Sequence, residues 1–244
     1  MATRFPNQDW QMMNYGYHSA GKSTVEMKGK NKHQQYQLQM YHSLSEISGI
    51  KDKDVLEIGC GRGGGAYYLF SHLQPKNYHG IDIANKSIEF CKKNYHSANL
   101  QFTVANAENL PFSDKSFDVV INVESSHTYG SVSGFLAETF RVLKDNGHLL
   151  LADFRAPEKI ELLINEMKDA GFKIIQHDDI TENVIMALDS NSEIMNERIN
   201  NSVPFYLRKF FREFAATKNS FFYNAFKYRK RVYHWFWLEK QDIL

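Results

Sequence analysis

The stretch DVLEIGCGRGGG at residues 54–65 decides the fold class. Its first five residues form a short, mostly apolar run of the kind that makes a buried strand, and five glycines follow within the next seven residues. The run AYYLF at 66–70 then has the pattern of a helix opening. A strand, a glycine-rich turn and a helix in this order predict a binding site, because glycine lets the backbone approach a ligand and the helix N-terminus offers free N–H groups.

Strand and helix patterns alternate along the rest of the chain. Further strands are predicted at 78–81, 101–104, 117–123, 148–152, 172–176 and 232–238, and helices at 32–48, 86–95, 132–143, 158–170 and over most of 181–230. This alternation indicates βαβ units. We therefore predict an α/β, Rossmann-like, seven-stranded, mostly parallel doubly wound sheet. Its parts are an N-terminal helical cap (1–50), a cofactor-binding core (51–180), a helical substrate lid (181–230) and the last core strand (231–244).

Composition and charge exclude several classes of protein. The chain has 29 Lys and Arg against 28 Asp and Glu, so a globally basic nucleic-acid binder is excluded and no nucleic-acid partner is expected. No apolar run approaches the roughly 18 residues of a membrane-spanning helix. The cysteines, Cys60 and Cys91, form no CxxC pair, and the histidines show no metal-ligand spacing. We expect a cytoplasmic protein with no metal site and no transmembrane segment.

The glycine spacing alone leaves the ligand open. Gly59, Gly61 and Gly64 satisfy the GxGxxG dinucleotide pattern, and Asp82 follows about 20 residues later. An NAD-dependent enzyme would show the same pattern, so the choice depends on the surrounding sequence.

Further motifs narrow the class. VLEIGCGRG at 55–63 is followed by GIDI at 80–83, AENLPF at 107–112, SFDVV at 116–120 and RVLKDNGH at 141–148. In order and spacing, over about residues 50–155, these resemble the motifs of class I S-adenosylmethionine-dependent methyltransferases. The resemblance implies the class I methyltransferase fold, and S-adenosyl-L-methionine as the cofactor.

The resemblance also implies a set of cofactor-binding residues. Glycines would let backbone amides meet the methionine part and the ribose, and a carboxylate at a strand end can accept both ribose hydroxyls. Asp82 is placed there, although a helix N-cap is the alternative for it, and Ile83 would pack on the adenine. Asn106 stands where most relatives have Asp. The predicted set is Glu57, Gly59, Gly61, Gly63, Asp82, Ile83, Asn106, Ala107, Glu108 and Asn122, with Glu57 supporting the glycine turn or reaching the cofactor's ammonium through water.

Two residues are candidates for the reacting end. His127, in ESSHTYG at 124–130, follows the fourth predicted strand, and Asp153 follows the fifth. A His with a carboxylate partner has a pKa near neutrality, which suits a general base. Sugar and natural-product O-methyltransferases resemble the chain here, so we predict that His127 is the base and that Asp153 orients it. A structural role for His127 stays open.

Three segments resemble a narrower family, the phthiotriol/phenolphthiodiolone dimycocerosate O-methyltransferases. They are MNYGY at 13–17, ESSH at 124–127 and FREFA at 211–215. The resemblance implies secondary metabolism, a hydroxyl or phenol acceptor on a small hydrophobic molecule, and an N-terminal segment that folds over the cofactor. Tyr15 would then contact its methionine end or act as a packed anchor. C-methylation of an activated ring and a non-catalytic cofactor-binding module are the alternatives, and the oligomeric state is open.

Aromatic residues are concentrated near the end of the chain. Residues 205–237 hold 14 of the 34 aromatics, together with eight Lys or Arg and one acid. Core packing, a lid over an apolar substrate, or weak contact with an anionic membrane surface would each account for them.

Overall fold

The structure, a computed structural model, describes residues 11–19 and 34–241. Its strands are β1 (Asp54–Ile58), β2 (Asn77–Asp82), β3 (Leu100–Val104), β4 (Phe117–Val123), β5 (Leu143–Arg155), β6 (Phe172–Asp179) and β7 (Val232–Lys240). Its α-helices are α1 (Gln35–Ser48), α2 (Gly64–Leu73), α3 (Asn85–Asn94), α4 (Val132–Val142), α5 (Ile160–Asp169), α6 (Thr181–Ser202), α7 (Arg208–Phe214) and α8 (Phe221–Lys227). Short 3₁₀ turns lie at Ser126–Thr128, Pro157–Lys159 and Phe205–Leu207.

The seven strands form one sheet in the order β3-β2-β1-β4-β5-β7-β6. All neighbours pair in parallel except β7, which is antiparallel to both β5 and β6. The seven-stranded, mostly parallel doubly wound sheet predicted from the sequence is thus confirmed. The strand order changes direction between β1 and β4, because β2 and β3 were added on one side of β1 and the later strands on the other. Such a switch point is where ligands of α/β sheets bind.

Strand register places the candidate site at one edge. Ile58 at the end of β1 pairs with Ile81 of β2, and Val123 at the end of β4 pairs with Ala152 of β5. The residues that follow these strands therefore meet at the carboxyl ends, including Glu124, whose amide donates to the carbonyl of Ala152.

Apolar side chains cover both faces of the sheet. On one face Leu44 of α1 and Leu69 of α2 pack with Val119 of β4, and on the other Phe135 of α4 and Leu163 of α5 complete a second core. Burial on both faces explains why the strands appear in the sequence as continuous apolar runs rather than alternating ones.

The segment between β6 and β7 is helical, as the sequence pattern predicts. Residues 181–231, here named the cover, contain α6, α7 and α8. The aromatics of 205–237 fall into three groups, of which one, Phe214, Phe222 and Trp237, is half-buried. Phe211, Tyr223, Phe226, Tyr233, Trp235 and Phe236 are buried, and Phe205, Tyr206, Phe210, Phe221 and Tyr228 are exposed. The helix predicted at 32–48 begins outside the described residues, and its described part is α1.

Candidate active site

The glycine-rich turn wraps tightly against the ends of its neighbouring strands. Gly59, Gly61 and Gly63 have φ of 78°, 54° and 71°, in the left-handed region that disfavours side chains. The amide of Gly59 donates to the carbonyl of Ile81 at 2.8 Å. A Cβ on Gly59 would lie 2.3 Å from Ser125 Oγ. Conformation and space therefore both demand glycine at this position.

The three glycines face different neighbours. A Cβ on Gly61 would approach only Met13, at 3.2 Å from its terminal methyl carbon. A Cβ on Gly63 would lie 2.8 Å from Cys91 Sγ and 3.0 Å from the ring of Phe102. Gly59 and Gly61 line clefts, whereas Gly63, predicted to meet the cofactor, packs against α3 and β3 and shapes the turn.

Asp82 joins the end of β2 to the glycine turn. Its Oδ2 accepts from the Gly61 amide at 2.9 Å, and its Oδ1 accepts from the Ala84 amide at 2.8 Å, just before α3. Asp82 therefore fixes the turn before α3, whose N-cap residue is Ala84, and it borders the cleft. A contact between Asp82 and the ribose stays a prediction. Ile83 beside it is 74% exposed, leaving an apolar surface for a flat ligand.

A cleft of about 270 Å³ lies over these strand ends. Its predicted members are Gly59, Asp82, Ile83, Asn106, Ala107 and Glu108, and it is completed by Ile58, Ile81, Ala105, Ser125, Thr128, Tyr129 and Gly130. Glu108 Oε1 accepts from the amides of Gly130 and Ser131 at 2.8 and 3.1 Å, and Asn106 Oδ1 accepts from the Glu108 amide. These two side chains join the loop after β3 to the loop before α4.

Two predicted cofactor residues lie beneath the cleft rather than in it. Glu57 and Asn122 are both fully buried. The Asn122 amide nitrogen lies 3.0 Å from the carbonyl oxygen of Ile58 and 2.8 Å from Ser125 Oγ, so it ties β1 to the loop after β4. Its Oδ1 has no hydrogen-bond partner among the described residues. A direct cofactor contact for Asn122 or Glu57 stays a prediction.

Glu57 is held between two tyrosine hydroxyls. Tyr41 donates to its Oε1 at 2.9 Å and Tyr78 to its Oε2 at 2.8 Å. Burial raises the pKa of Glu57 to about 7, although both hydrogen bonds oppose the shift. Glu57 therefore supports the glycine turn from the core, through β1. A carboxylate in water is charged at neutral pH, whereas the carboxyl group of Glu57 is only partly ionised there.

His127 and Asp153 form the pair predicted from the sequence. His127 Nδ1 lies 2.8 Å from Asp153 Oδ1, and the His127 amide donates to Asp153 Oδ2 at 2.9 Å. A carboxylate accepts, so Nδ1 carries the hydrogen and the neutral ring presents the Nε2 lone pair outward. The imidazole is partly exposed and its ring lies 4.3 Å from that of Phe154.

The surroundings of Asp153 keep it ionised. Burial alone would raise its pKa, but the hydrogen bond and charge of His127, the charge of Arg155 and the Ser126 hydroxyl lower the pKa of Asp153 below its usual value. Arg155 Nη1 lies 3.0 Å from Oδ2, and its Nη2 donates to Ser126 Oγ. Sequence reasoning missed Arg155, although its position two residues after Asp153 in β5 is a usable signal.

Glu124 is a second residue that sequence reasoning missed. It follows β4 directly, has φ of 48°, and accepts at Oε1 from the Tyr15 amide (2.7 Å) and the Tyr233 hydroxyl (3.0 Å). Burial raises the pKa of Glu124 to about 8, and the nearby charge of Asp153 adds to the effect. One carboxylate oxygen thus joins the N-terminal segment, the loop after β4 and β7.

The N-terminal segment, residues 11–19, crosses this edge of the sheet. Tyr15 packs its ring 5.7 Å from Phe154 and 5.3 Å from Phe226, so it is an aromatic anchor in this structure. Residues 11–14 line a small cavity with the glycine turn, Tyr41, Val123 and Glu124. That cavity and the larger cleft share Gly59, so together they form one elongated site.

A further cavity lies between the N-terminal segment and the cover. Met12, Met13, Leu188, Met195 and Phe214 give it an apolar lining, and Asn14, Tyr15, Gln37, Asn191, Ser192, Ala215 and Thr217 complete it. The Gln37 amide oxygen is buried and has no hydrogen-bond partner among the described residues. The cavity is small, about 30 Å³, and lined mainly by apolar side chains.

The described ranges contain no group of three or more His, Cys, Asp or Glu residues that could hold a metal ion. His177 and His234 do lie side by side, with Nε2 and Nδ1 2.7 Å apart, but they pack on Phe236. Within residues 11–19 and 34–241, no helix is both long and apolar enough to cross a membrane.

Comparison with known proteins agrees with this geometry. Residues 56–151 match the family model described as a methyltransferase domain. The chain is 32% identical over 218 residues to the fatty-acid O-methyltransferase of Mycolicibacterium smegmatis. This match covers 89% of this chain and 80% of that protein. The chain is 31% identical to the phthiotriol/phenolphthiotriol dimycocerosates methyltransferase of Mycobacterium leprae, covering 90% and 82%. The cyclopropane synthase MmaA2 from Mycobacterium tuberculosis has the same fold, with a TM-score of 0.74 over 96% of this chain and 94% of that one, at 13% identity.

The strand order, the glycine turn and the cleft define a class I S-adenosylmethionine-binding methyltransferase fold. The chain belongs to the methyltransferase domain family. It is an enzyme, and its cofactor is S-adenosyl-L-methionine.

The residues present fit this cofactor. Gly59 and Gly61 leave the space that a Cβ would fill, Asp82 provides acceptors beside it, and Ile83 offers an apolar face. On the other side of the glycine turn, the buried carboxylate of Glu124 borders the small cavity. The acceptors of Asp82 suit the ribose hydroxyls, and the apolar face of Ile83 suits the adenine. The carboxylate of Glu124 suits the positively charged methionine end.

Proposed function

We propose that this methyltransferase transfers the methyl group to a hydroxyl or phenol oxygen of a small, hydrophobic, lipid-like molecule, with His127 as the general base. The observation that carries the proposal is the His127–Asp153 pair, which joins the turn after β4 to the carboxyl end of the adjacent strand β5, at the proposed cofactor edge of the sheet. S-adenosyl-L-methionine, when bound, supplies a methyl group that its sulfonium has already activated for displacement.

The cofactor residues divide the binding between them. Asp82 would accept the two ribose hydroxyls, and Ile83 would cover one face of the adenine. Asn106, Ala107 and Glu108 border the far end of the cleft and would surround the adenine edge. Asp82 holds the Gly61 amide already, so the glycine turn is in place before a ligand arrives.

The base acts through its outward nitrogen. Asp153 holds the Nδ1 hydrogen of His127, and this leaves Nε2 to accept the proton of the acceptor hydroxyl as the oxygen attacks. Asp153 is buried, and its contacts to Ser126 and Arg155 fix its orientation. A hydroxyl needs such a base because its pKa lies far above neutrality, whereas a carboxylic acid is already ionised.

The apolar cavity supports the choice of acceptor. Its lining of methionine and leucine side chains is apolar, and an alkyl or polyketide chain would enter its volume of about 30 Å³ by displacing these flexible side chains. Tyr15 lines the cavity and contacts Phe154, which in turn contacts His127, so one row of rings leads from the cavity to the base. The relatives named above are called methyltransferases of fatty acids and of phthiotriol dimycocerosates, which agrees with a lipid-like acceptor.

Calorimetry tests the cofactor site. S-adenosylmethionine and its demethylated product should both bind the wild-type protein, and Asp82→Ala should weaken binding about a hundredfold or more, because two hydrogen bonds to a charged group contribute about 1.5–3 kcal/mol each. Asp169→Ala, on the exposed end of α5, is the matched control. Unchanged affinity in Asp82→Ala would remove this residue from the site.

Isotope-labelled methyl transfer tests the reaction. A panel of long-chain alcohols, phenols, quinone precursors and fatty acids identifies the acceptor atom from the labelled product. His127→Ala should reduce transfer to hydroxyls by about 10²–10⁴-fold while keeping cofactor affinity. His96→Ala, on an exposed turn, is the control. Transfer to hydroxyls at the wild-type rate in His127→Ala would refute the assignment of the base, and a label on carbon would refute O-methylation.

A further inference from the structure

Of the aromatic side chains of the cover, five are exposed to solvent: Tyr228, which follows α8, and four that precede it in the chain. Phe205, Tyr206, Phe210 and Phe221 are 80%, 70%, 55% and 70% exposed. We name these four residues the aromatic patch. Large rings usually contribute to a core, and the cover buries other aromatics such as Phe211. Exposed clusters of this kind mark interaction sites.

The four rings belong to one surface. The rings of Phe205 and Tyr206 contact each other at 5.7 Å. Tyr206 and Phe210 are four residues apart along the turn that leads into α7, so they project from the same side. Glu213, one turn after Phe210, accepts a hydrogen bond from the Phe221 amide at the start of α8. The patch thus follows the outer side of α7 onto α8.

The charges of the two short helices and their flanking turns are mostly positive, although Lys218 and Arg229 pair with Asp189 and Asp179. Residues 205–231 contain eight Lys or Arg and a single acid, Glu213. Arg208 and Arg212 donate to groups of α6 and the residue after it, and Glu213 is used by the Phe221 amide. Lys209 and Lys227 are exposed on the same short helices. Exposed rings flanked by lysines, with the one acid turned to the backbone, complement an anionic surface.

The C-terminal end of α7 and the residues after it line the apolar cavity. Phe214 of α7 and Thr217 after it belong to the cavity wall, whereas Phe210 and Lys209 face outward. The cover is therefore apolar on both sides, with the cavity beneath and the aromatic patch above.

We propose that the aromatic patch docks the enzyme on an anionic lipid bilayer. The apolar rings of Phe205, Phe210 and Phe221 enter the boundary between headgroups and acyl chains, and Tyr206 keeps its hydroxyl among the headgroups. Lys209 and Lys227 bind lipid phosphates. A lipid-like acceptor could then move from the bilayer to the cavity beneath α7 without crossing water. The docking itself does not depend on the proposed reaction, since it needs neither the cofactor nor His127.

Vesicle flotation tests this directly. The full chain is mixed with vesicles of equal parts phosphatidylglycerol and phosphatidylcholine, and with vesicles of phosphatidylcholine alone. We expect binding to the anionic vesicles that falls about tenfold or more on pure phosphatidylcholine and weakens as salt is raised. Phe205→Ser/Phe210→Ser/Phe221→Ser should lose at least about tenfold of the binding, because its apolar contact area is removed.

Control variants distinguish binding through the aromatic patch from non-specific hydrophobic binding. Tyr67→Ser in α2 and Leu162→Ser in α5 remove exposed apolar side chains elsewhere, and both should bind vesicles as the wild type does. The triple variant should keep its calorimetric affinity for S-adenosylmethionine, which shows that it is folded. The proposal is overturned if the triple variant floats like the wild type, or if pure phosphatidylcholine binds equally well. It is also overturned if the wild type ignores vesicles and instead forms dimers that the triple variant loses. Failure of methyl transfer alone would bear on the proposed function and leave this result standing.

Discussion

Replacing Glu57 by Gln tests how the glycine turn is supported from below. Glu57 is fully buried between the hydroxyls of Tyr41 and Tyr78, and burial raises its pKa from 4.5 to about 7. Between these two pH values the folded protein holds a proton that the unfolded chain has released. The free energy of unfolding therefore falls as pH rises through this range.

The size of the effect follows from the two pKa values. One pH unit of separation corresponds to about 1.4 kcal/mol, so a pKa of about 7 against 4.5 implies that Glu57 costs about 3 kcal/mol of stability once it is ionised. Gln does not titrate, and its amide keeps both contacts because a tyrosine hydroxyl can accept as well as donate. We expect the stability of Glu57→Gln relative to the wild type to grow by about 3 kcal/mol between pH 4.5 and pH 7.5.

Urea unfolding at a series of pH values measures this difference. Tryptophan fluorescence reports the transition, since Trp235 and Trp237 lie in β7. Glu124, whose pKa is also raised, is present in both proteins, so its contribution cancels in the comparison. Glu161→Gln, on the exposed side of α5, is the matched control and should follow the wild-type curve. If Glu57→Gln and the wild type show parallel pH dependence, the carboxylate is not the buried, destabilised group described here.

Three other substitutions probe the site. Asp153→Asn removes the acceptor that fixes the Nδ1 hydrogen of His127. Turnover should therefore fall about 10²–10⁴-fold, while the calorimetric affinity for the cofactor stays unchanged. Turnover at the wild-type rate would exclude the pair from catalysis. Gly65→Ala would place a Cβ 2.3 Å from the ring of a buried tyrosine, so the urea midpoint should report a loss of about 1–3 kcal/mol, and an unchanged midpoint would contradict this packing. Gly59→Ala combines a left-handed φ, which costs about 1–2 kcal/mol, with a clash at Ser125 Oγ. The cofactor affinity measured by calorimetry should therefore fall at least about tenfold. An affinity equal to that of the wild type would mean that the turn can adjust.

Much of the site is predictable from the sequence because parallel strands end at a common edge. The motif spacing places Asp82, His127 and Asp153 after strands two, four and five, and the observed strand order makes β4 and β5 neighbours. The distance of 2.8 Å between His127 and Asp153 follows from that adjacency. Local patterns place each residue near the correct strand end. Asp153, however, is predicted to follow the fifth strand and lies within β5, because β5 continues its pairing with β7 to Arg155.

The direction of side chains within buried strands is not predictable in the same way. β1 and β4 are covered on both faces, so their sequences are continuous apolar runs without the alternation that would show which way a polar residue points. Glu57 and Asn122 accordingly lie beneath the cleft, at positions that motif resemblance had placed toward the cofactor.

Long-range partners are the other part that one sequence leaves open. Glu124 meets Tyr15 and Tyr233, and each of these tyrosines lies 109 residues away along the chain. Periodicity and turn signals report neighbours within one element. They do not report which distant hydroxyl or amide satisfies a buried carboxylate.

The N-terminal segment has a consequence for the order of events in a catalytic cycle. Residues 12–14 line both the small cavity beside the glycine turn and the apolar cavity beneath the cover. The segment is fastened to three separate elements, through Tyr15 to Glu124, through Tyr17 to the carbonyl of Tyr36, and through His18 to Asn183 of α6. In the proposed function, the cofactor and the acceptor would be covered by the same few residues. We therefore expect the two to share one opening step in each turnover, and the rate of that step would set an upper limit on kcat.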